Sequence, residues 1–385
     1  MKILFVSNLF PDTSEPNHGR DNAVFLRKLA EREEVRVLAF RPHIGPPRTL
    51  GLEPCEADRY AKPVYAGVSY VPKVGSAVNP GLYARSAKAA FAQIVSEWKP
   101  DVVLSSWLFP DSCAAARLCE AHGIPLVSIA QGSDVHHYLN NPRRAKAILR
   151  LVDHQAKAII TRGHDLGERL MAAGAGSRDV FAVRNGVDHE VFHPAKSRAK
   201  VRRELGLPTK APVVLFVGNF LPVKDPRTLA AAYEIVSHAF PDVIFGFCGD
   251  GPLRTQVAKD MDHAEILGHC RFEGIVEHGK VAKWMQAADV LAMASLNEGT
   301  PNVIMEAMSC GTAIAATSVG DIPEVVCDQR LGRTVPPRDP DALATAIVAL
   351  LTDPPDRDYV AEHATEFQWD STLDDVIEIL REAIG

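Results

Sequence analysis

Short apolar runs alternate with longer amphipathic stretches, and this alternation occurs in both halves of the sequence. Apolar runs of this length with helical crossovers are typical of parallel sheets covered on both faces. The predicted strands are 3–7, 35–40, 68–72, 102–105, 126–130, 158–161 and 180–183 in the first half, and 213–217, 243–248, 270–273, 290–293 and 312–316 in the second. The predicted helices include 24–31, 81–98, 111–122, 226–239 and 280–287. The pattern therefore predicts an α/β fold with two doubly wound, Rossmann-like domains.

Interruptions in this pattern indicate the domain boundaries. A short charged helix at 196–205, flanked by prolines, separates the two halves. The segment 41–65 is rich in proline and charge, so we expect it to be a long surface loop. The predicted divisions are an N-terminal domain at 1–193, a linker at 194–208, a C-terminal domain at 209–365, and a last helix at 366–385 that returns to the N-terminal domain.

The composition is that of an ordinary globular protein. Of 385 residues, 46% are hydrophobic and 23% are charged, which excludes a disordered or fibrous chain. The formal net charge of −6 argues against a general nucleic-acid binder. Residues 1–193 carry +4 and residues 194–385 carry −10, and this division suggests two domains with different ligands.

The cysteines and the apolar runs bear on location. Seven scattered cysteines include no pair at metal-ligand spacing, which fits free thiols in a reducing cytosol. The apolar run at the start is too short for a signal-peptide core. The longest stretch without a formal charge, 307–320, has 14 residues, whereas a spanning helix needs about 20 apolar ones. We therefore expect a cytoplasmic protein that is not integral to a membrane.

Two glutamates, Glu298 and Glu306, lie eight positions apart in one strand-to-helix segment. Apolar residues surround Glu306, and an unpaired buried carboxylate is unfavourable, so its presence there needs a reason. The first helical amides, at Asn302 and Val303, are suited to bind an anion, and a carboxylate one turn further can accept from vicinal sugar hydroxyls. The alternative is that Glu298 caps the helix and Glu306 is a paired surface acid.

A second strand-to-helix turn places cations in the acidic half. Gly218 follows the strand at 213–217, and Lys224 and Arg227 stand near the start of the next helix. Cations at a helix N-terminus oppose the helix dipole unless an anion such as a diphosphate lies between them. The alternative is that both are solvated surface bases.

Three further strand ends give weaker signals. Gly249 opens a glycine turn that lacks the third glycine of the NAD-binding fingerprint. Asn185 begins an Asn-Gly turn that fits an interdomain wall or a purely structural turn. The segment Gln131-Gly-Ser-Asp134-Val-His136 follows the strand at 126–130, and a lone histidine of this kind is more often structural than catalytic.

Together these motifs resemble those of a retaining GT-B glycosyltransferase of the family-four type (glycosyl transferases group 1), over nearly the whole chain. The resemblance is strongest at 271–326, which includes both glutamates and the turn Gly320-Asp321-Ile-Pro323. The segment Asn185-Gly-Val-Asp188 and Lys224 are the next most specific matches. The resemblance implies two domains facing a cleft, with the nucleotide-sugar donor in the second domain and the acceptor side in the first.

The resemblance also implies a role for each matching position. Lys224 would hold the donor diphosphate, Glu306 the ribose hydroxyls and Glu298 the transferred sugar. The residues implied in donor binding are Gly218, Asn219, Lys224, Arg227, Gly249, Ile275, Glu298, Gly299, Thr300, Pro301, Asn302, Val303 and Glu306. Those implied in catalysis are Glu298, Lys224, Gln131, Asp134 and His136, and those on the acceptor side are Gly19, Arg20, Asp134 and Asn185.

Four positions depart from the family's pattern. Asn219 stands where an arginine is common, which leaves fewer cations unless Arg227 helps. Gln131 stands where the sugar-binding histidine is usual. The segment His18-Gly19-Arg20 stands where the family has a Gly-Gly pair, and Asp321 replaces the second glycine of a later pair.

The expected reaction moves a sugar from a nucleotide-diphosphate donor to an acceptor hydroxyl with retention. A UDP-sugar is favoured over a GDP-sugar, and neither cofactor nor metal is expected, since Lys224 and helix-start amides would neutralise the leaving diphosphate. The expected acceptor is a glycan, a lipid-linked glycan or a small molecule, in surface polysaccharide or glycolipid synthesis.

Other activities fit less well. A glycosidase is disfavoured, because Glu298 and Glu306 share one short motif and would not flank a bond from opposite sides. The alternatives left open are a nucleotide-sugar epimerase or phosphorylase on the same scaffold and a non-catalytic sugar-nucleotide-binding subunit.

A basic stretch at 141–150 reads as a helix just after the Gln131 motif. Arg143, Lys146 and Arg150 fall at i, i+3 and i+7, hence on one face. This face is either simply solvated or a contact for an anionic partner such as a membrane surface.

Overall fold

A computed structural model describes residues 1–73, 75–176 and 179–385. They form two compact units, residues 1–184 with 370–385 and residues 185–369. The first division falls before the predicted boundary at 193, because Val187 N donates to Phe367 O at 2.8 Å and both Val187 and Phe192 are buried in the core of the second unit. The predicted linker at 194–208 therefore also belongs to the second unit.

The first unit contains an eight-stranded sheet in the order β3-β4-β2-β1-β5-β6-β7-β8. The strands are β1 (Lys2–Ser7), β2 (Glu34–His43), β3 (Arg48–Thr49), β4 (Val64–Ser69), β5 (Val102–Ser106), β6 (Leu126–Ala130), β7 (Ala158–Thr161) and β8 (Val180–Ala182). The helices are α1 (Arg20–Ala30), α2 (Asn79–Trp98), α3 (Cys113–His122), α4 (Ser133–His136), α5 (Pro142–Arg150) and α6 (His164–Ala172). Every strand pair is parallel except β3 with β4.

The segment 41–65 is more ordered than the loop predicted for it. It contains the end of β2, all of β3, a 3-10 helix at Glu56–Ala61 and the start of β4, which begins at Val64 rather than at 68. The buried guanidinium of Arg41 donates to Asp12 Oδ2 at 2.8 Å and lies over the Tyr65 ring at 5.0 Å. Burial tends to raise the pKa of Asp12, but hydrogen bonds from Ser14 and Arg41 lower it to about 2. This ion pair anchors a segment whose composition alone indicated a loop.

The second unit contains a six-stranded sheet in the order β11-β10-β9-β12-β13-β14, parallel throughout. The strands are β9 (Val213–Val217), β10 (Ile244–Cys248), β11 (Cys270–Gly274), β12 (Val290–Met293), β13 (Ala313–Thr317) and β14 (Gly332–Val335). The helices are α7 (Arg198–Glu204), α8 (Pro226–Ala239), α9 (Arg254–His263), α10 (His278–Ala287), α11 (Asn302–Ser309), α12 (Ile322–Val325), α13 (Pro340–Thr352) and α14 (Arg357–His363). The predicted α/β class with two Rossmann-like domains is confirmed.

Strand β14 was not predicted, because its sequence Gly-Arg-Thr-Val lacks an apolar run. It is an edge strand that pairs only with β13 among the described residues. A Cβ at Gly332 would lie 2.1 Å from the carbonyl oxygen of Ile314. The close backbone approach therefore depends on glycine.

The last helix, α15 (Trp369–Ile384), belongs to the first unit from Asp370 onward. Its apolar face buries Leu373, Val376 and Leu380. Arg32, just after α1, lies 2.6 Å from Asp374. The chain thus returns to its first unit after completing the second.

The core of the second unit consists of two clusters, one on each face of its sheet. All five residues of β10 are buried, so Gly246 in this central strand faces packed side chains. A Cβ at Gly246 would lie 2.6 Å from Trp284 Cζ3 and 3.2 Å from Leu215 Cδ1. Trp284 is fully buried, and the indole occupies the space that a side chain at 246 would need.

We expect Gly246→Ala to destabilise the protein by about 1–3 kcal/mol, the usual effect of overpacking a tight core. The measurement is urea unfolding followed by tryptophan fluorescence and circular dichroism. The matched control is Gly279→Ala in α10, where an added Cβ meets nothing within 4 Å and where alanine favours the helix by up to about 1 kcal/mol. Equal stability of Gly246→Ala and wild type would contradict the packing described here.

Candidate functional site

Two loops of the second unit meet beyond the carboxyl ends of β9 and β12. The backbone amide of Leu296 donates to Val223 O at 2.8 Å. This contact brings together the 3-10 turn Pro222–Lys224 and the segment leading to Glu298. Lys224 Nζ donates to Glu298 Oε1, and the two side chains are only 23% and 10% exposed. The predicted cation and the first predicted glutamate are therefore direct partners.

The segment 299–301 leads into α11, which begins at Asn302. Thr300 Oγ1 donates to Asp321 Oδ2 at 2.6 Å, and Asp321 is buried. A Cβ at Gly320, which has φ 54°, would lie 2.1 Å from Glu298 O. The hydrogen bond between Thr300 and Asp321 thus stabilises the turn next to Glu298. Asp321 was expected only as a departure from the family's pattern, and nothing in the local sequence pairs it with Thr300, 21 positions away.

Glu306 lies one turn inside α11, four positions after Asn302, so both residues are on the same side of the helix. It is half-buried, whereas Ile304, Met305 and Ala307 are buried in the core. The first amides of α11 have no intrahelical acceptor and carry the positive end of the helix dipole. Glu306 and the start of α11 thus lie on one side of this helix, and the segment that carries Glu298 leads into the same helix.

Glycine turns set the shape of the loops after β9 and β10. Gly249 has φ 137°, and its missing Cβ would lie 2.0 Å from Gly218 O. Gly218 N donates to Cys248 O at 2.9 Å. Asn219 is exposed next to this contact. After β11, Ile275 leaves 68% of its surface exposed, which is unusual for a large aliphatic side chain.

Two predicted residues have other partners. Arg227, predicted to support Lys224, is exposed and lies 3.3 Å from Asp260 of α9, so its charge is already engaged. Asn185, predicted on the acceptor side, belongs to the second unit. Its Nδ2 donates to Asn302 Oδ1 at 3.2 Å. Asn185 therefore contacts the first residue of α11, and its predicted place on the acceptor side stays a prediction.

In the first unit, Gln131 lies at the carboxyl end of β6 and is half-buried. Its Nε2 donates to Asn22 Oδ1 and to Ser106 Oγ, both at 2.8 Å. Asn22 in turn donates to Leu9 O at 2.8 Å. Gln131 is thus held by polar groups that follow β1, β5 and β6, at the strand ends where a ligand site is expected.

Asp134 was predicted on the acceptor side, but its carboxylate does not face solvent. It is completely buried and accepts from the backbone amides of Leu108 at 2.9 Å, Gln131 at 3.0 Å and Gly132 at 2.8 Å. Burial raises its pKa, while these amides oppose the increase. Asp134 therefore positions the loops that carry Gln131, and it does not present its carboxylate to a ligand.

The remaining candidates of the first unit lie close to this loop or at the start of α1. His136 has a side chain only 5% exposed, with Nε2 3.7 Å from Asp165 Oδ2. Gly19 has φ 68°, and a Cβ there would lie 2.1 Å from the backbone of Leu9, so a close approach requires glycine. Arg20, the first residue of α1, is half-buried.

Asp111 was not predicted as a site residue, yet it lies at the same strand ends. Its Oδ2 accepts from Asn8 N at 2.6 Å, Asn8 Nδ2 at 2.8 Å and Ser7 Oγ at 3.3 Å. Burial raises the pKa of Asp111 to about 7, and the hydrogen bonds from Asn8 and Ser7 oppose this. The carboxyl group therefore fixes the loop after β1.

No helix within residues 1–73, 75–176 and 179–385 is long and apolar enough to cross a bilayer. In the same residues, no group of three or more His, Cys, Asp or Glu side chains is placed to hold a metal ion.

Comparison with known proteins covers both units. The family model "Glycosyl transferases group 1" matches residues 197–367, and "Glycosyltransferase Family 4" matches residues 23–191. D-inositol 3-phosphate glycosyltransferase 2 of Catenulispora acidiphila is 33% identical over 240 residues, which are 58% of this chain and 55% of that protein. The chain thus spans a little over half the length of that relative. D-inositol 3-phosphate glycosyltransferase of Corynebacterium glutamicum is 30% identical over 294 residues, 72% of this chain and 69% of that protein.

Solved structures resemble the whole chain in fold. Alr3699/HepE of Anabaena, in complex with UDP, superposes with a TM-score of 0.78 at 18% identity, covering 99% of this chain and 100% of that one. The same protein in complex with UDP-glucose gives a TM-score of 0.76. Sucrose-phosphate synthase of Thermosynechococcus elongatus gives 0.77 at 18% identity, covering 99% of this chain and 98% of that one.

The raised pKa of Asp111 leads to a pH prediction. A carboxyl group whose folded pKa lies above its unfolded value stabilises the fold fully only below the unfolded pKa. This stabilisation is lost as pH rises through about 7. Asp111→Asn removes the titration, so the free energy of unfolding of wild type relative to this variant should fall by a few kcal/mol, on the order expected for the shift, between about pH 4 and pH 8.

The measurement is urea unfolding of both proteins at unit pH intervals. Glu97→Gln makes the same carboxylate-to-amide change on the exposed face of α2 and serves as the control. Parallel pH profiles for wild type and Asp111→Asn would contradict the assignment.

Proposed function

The chain belongs to the group 1 glycosyltransferases with the GT-B fold, and on that premise we propose that it transfers a sugar from a nucleotide-diphosphate donor to an acceptor hydroxyl with retention of configuration. The observation that carries this proposal is the pairing of Lys224 with Glu298 beside the start of α11. The contact between Leu296 and Val223 joins the turn of Lys224 to the segment that carries Glu298 and leads into α11.

The Lys224–Glu298 pair supports a diphosphate site. Without donor, the carboxylate of Glu298 neutralises the ammonium group. With donor, we propose that the diphosphate takes the ammonium of Lys224 and the amides of Asn302 and Val303, since charge-assisted hydrogen bonds to phosphate are strong. Glu298 is then released to accept from hydroxyls of the transferred sugar.

The rest of the donor follows from the same surface. Glu306, on the same side of α11 as Asn302, accepts from the two ribose hydroxyls. Ile275 covers the base, and its 68% exposure gives the ring an apolar surface to bury. The donor we propose is a UDP-sugar, which the similar fold of a protein solved with UDP and with UDP-glucose supports.

The proposed mechanism is a front-face transfer. Bond breaking leaves negative charge on the diphosphate, which Lys224 and the amides of α11 stabilise. An oxygen of the leaving phosphate takes the proton of the acceptor hydroxyl, so no side chain need act as base, and we propose that no metal is required. In the first unit, Gln131 contributes to the acceptor side, since Asn22 and Ser106 hold its amide in place.

The acceptor we propose is a hydroxylated compound that carries a phosphate, since the curated relatives named here are D-inositol 3-phosphate glycosyltransferases. We also propose that the protein acts in glycolipid or surface polysaccharide synthesis on the cytoplasmic side of a membrane. The exposed basic residues Arg143, Lys146 and Arg150 support contact with anionic lipid.

The experiment that tests the function combines UDP-, GDP- and ADP-glucose with a panel of acceptors that includes inositol phosphates, free sugars and lipid-linked sugars. Proton NMR of the product reports the anomeric configuration. We expect a product from the UDP-sugar with the α-configuration of the donor. An inverted product would overturn retention, and an epimerised donor without transfer would overturn the transferase assignment.

The cation assignment leads to a comparison of two variants. We expect Lys224→Ala to weaken UDP binding and to lower turnover by about 10²–10³-fold, as for the loss of one preorganised donor of hydrogen bonds. Arg227→Ala, at the start of the next helix, should lower turnover only a few-fold, because its charge is exposed and engaged with Asp260. Kinetics and UDP calorimetry measure both, with thermal unfolding to verify the fold. Equal losses in the two variants would contradict the assignment.

A further inference from the structure

A cavity of about 540 Å³ lies in the first unit among α2, α3 and α5. Its volume is in the range of small-ligand sites, about 300–1,000 Å³. None of its lining residues is among those assigned to donor binding or catalysis, although Arg143, Lys146 and Arg150 are the cations proposed above to contact anionic lipid. The lining residues are Ser76, Ala77, Pro80, Cys113, Arg117, Glu120, Arg143, Lys146, Ala147, Arg150 and Gln155.

Positive charge dominates this cavity. Arg117 of α3 and Arg143, Lys146 and Arg150 of α5 face a single carboxylate, that of Glu120. Within the described ranges, none of these four cations forms an ion pair, whereas Arg27, Arg32 and Arg169 of the same unit all do. On α5 the three cations are spaced i, i+3 and i+7, so like charges are neighbours, which is unfavourable in the absence of an anion.

The helix that carries three of the cations is held in place. Asn141 Oδ1 accepts from the amides of Arg143 and Arg144 at 3.1 and 3.2 Å. Arg144 Nε donates to Ser76 Oγ at 3.0 Å, and its guanidinium lies 4.3 Å from the centre of the Tyr138 ring. Arg144 thus anchors α5 and leaves Arg143, Lys146 and Arg150 as exposed cations around the cavity.

The remaining lining residues are small and mostly apolar. Ala77, Pro80, Cys113 and Ala147 supply this surface. Burial raises the pKa of the Cys113 thiol to about 12, so this side chain stays neutral and adds no charge. The cavity therefore combines an apolar surface with cations that include three guanidinium groups.

We propose that this cavity binds a small ligand that carries a phosphate group, at a site separate from the sugar-transfer site. A guanidinium group can donate two parallel hydrogen bonds to two oxygens of one phosphate. Three arginines and one lysine carry more positive charge than a ligand with a single carboxylate could neutralise. The ligand's body packs on the apolar surface, while its phosphate lies among Arg117, Arg143, Lys146 and Arg150.

The test measures binding of phenyl phosphate, which has a phosphate and an apolar ring, by isothermal titration calorimetry and by the width of its ³¹P resonance. The cavity variant is Arg117→Gln/Lys146→Gln, which removes one cation from each of two helices. The control variant is Arg85→Gln/Lys88→Gln, which removes two exposed cations of α2 that do not line the cavity. Thermal unfolding verifies that both variants fold, and UDP calorimetry verifies that the other site is unchanged.

We expect the cavity variant to weaken phenyl phosphate binding at least tenfold, while the control variant binds as wild type does. Equal affinity of wild type and the cavity variant, or equal loss in both variants, would overturn the proposal. Because UDP binding should persist in the cavity variant, failure here is distinguishable from failure of the proposed function.

A second arm identifies the source of the phosphate. Vesicles of phosphatidylcholine, with and without phosphatidic acid, are sedimented with the protein, and phenyl phosphate is added as the competitor. Binding to acidic vesicles that phenyl phosphate displaces, and that the cavity variant loses, assigns the cavity to a lipid headgroup. Binding of phenyl phosphate without vesicle association assigns it to a soluble phosphate ester. Vesicle association that is unchanged by phenyl phosphate and by the cavity variant would place membrane contact elsewhere and would count against the cavity.

Discussion

Each of the two sheets is a largely parallel sheet with helices packed on both faces, and this constraint determines where polar side chains can act. The strands of both sheets are predominantly apolar, and all residues of β5, β6, β10 and β13 are buried. Polar groups can reach a ligand only where strands end and the chain turns into a helix. The pair Lys224–Glu298 lies beyond β9 and β12 in one unit. The pair Gln131–Ser106 lies at the carboxyl ends of β6 and β5 in the other.

The turns at these strand ends are held by contacts that do not themselves touch a ligand. Gly249 lies against the backbone of Gly218, and Gly320 lies against that of Glu298, at distances that a Cβ would prevent. Asp321 and Asp134 are buried carboxylates that accept from a hydroxyl or from backbone amides of neighbouring loops. Preorganised donors act more strongly in catalysis because they need not reorient during the reaction, so in the proposed reaction these supporting residues would contribute by holding the loops in place.

The sequence was sufficient for the fold class and for the central elements, because long apolar periodicity reports burial directly. The strand at 213–217 and the helix at 226–239 were predicted with their observed bounds. Strand β14 and the regular secondary structure within 41–65 were not predicted, since both depend on contacts with residues distant in sequence. Strand β14 pairs with β13, and Arg41 pairs with Asp12.

The side-chain roles were harder to predict for the same reason. Nothing in the local sequence shows that Asp134 accepts from Leu108, that Arg227 faces Asp260, or that Asn185 contacts Asn302 across 117 positions. The sequence shows that each of these positions is polar, but it does not show towards which partner the side chain points. Asp111 shows the limit most plainly, because only its burial against Asn8 separates it from an ordinary loop aspartate.

The charge of the second unit bears on how an acidic surface could bind an anion as we propose. Residues 185–369 contain 17 Lys and Arg against 25 Asp and Glu, a net charge of −8, so polyanions such as nucleic acid meet a repulsive average field. Arg202 is engaged with Asp289 at 2.7 Å, and Arg357 donates to the carbonyl of Ala288 at 2.8 Å, so these cations already have partners in the fold. Because salt screens charges beyond about 10 Å, a small dianion bound as we propose, at Lys224 and the start of α11, would experience these donors more strongly than the distant acids. In that proposal, selectivity for a compact diphosphate follows from a local cation within an acidic unit.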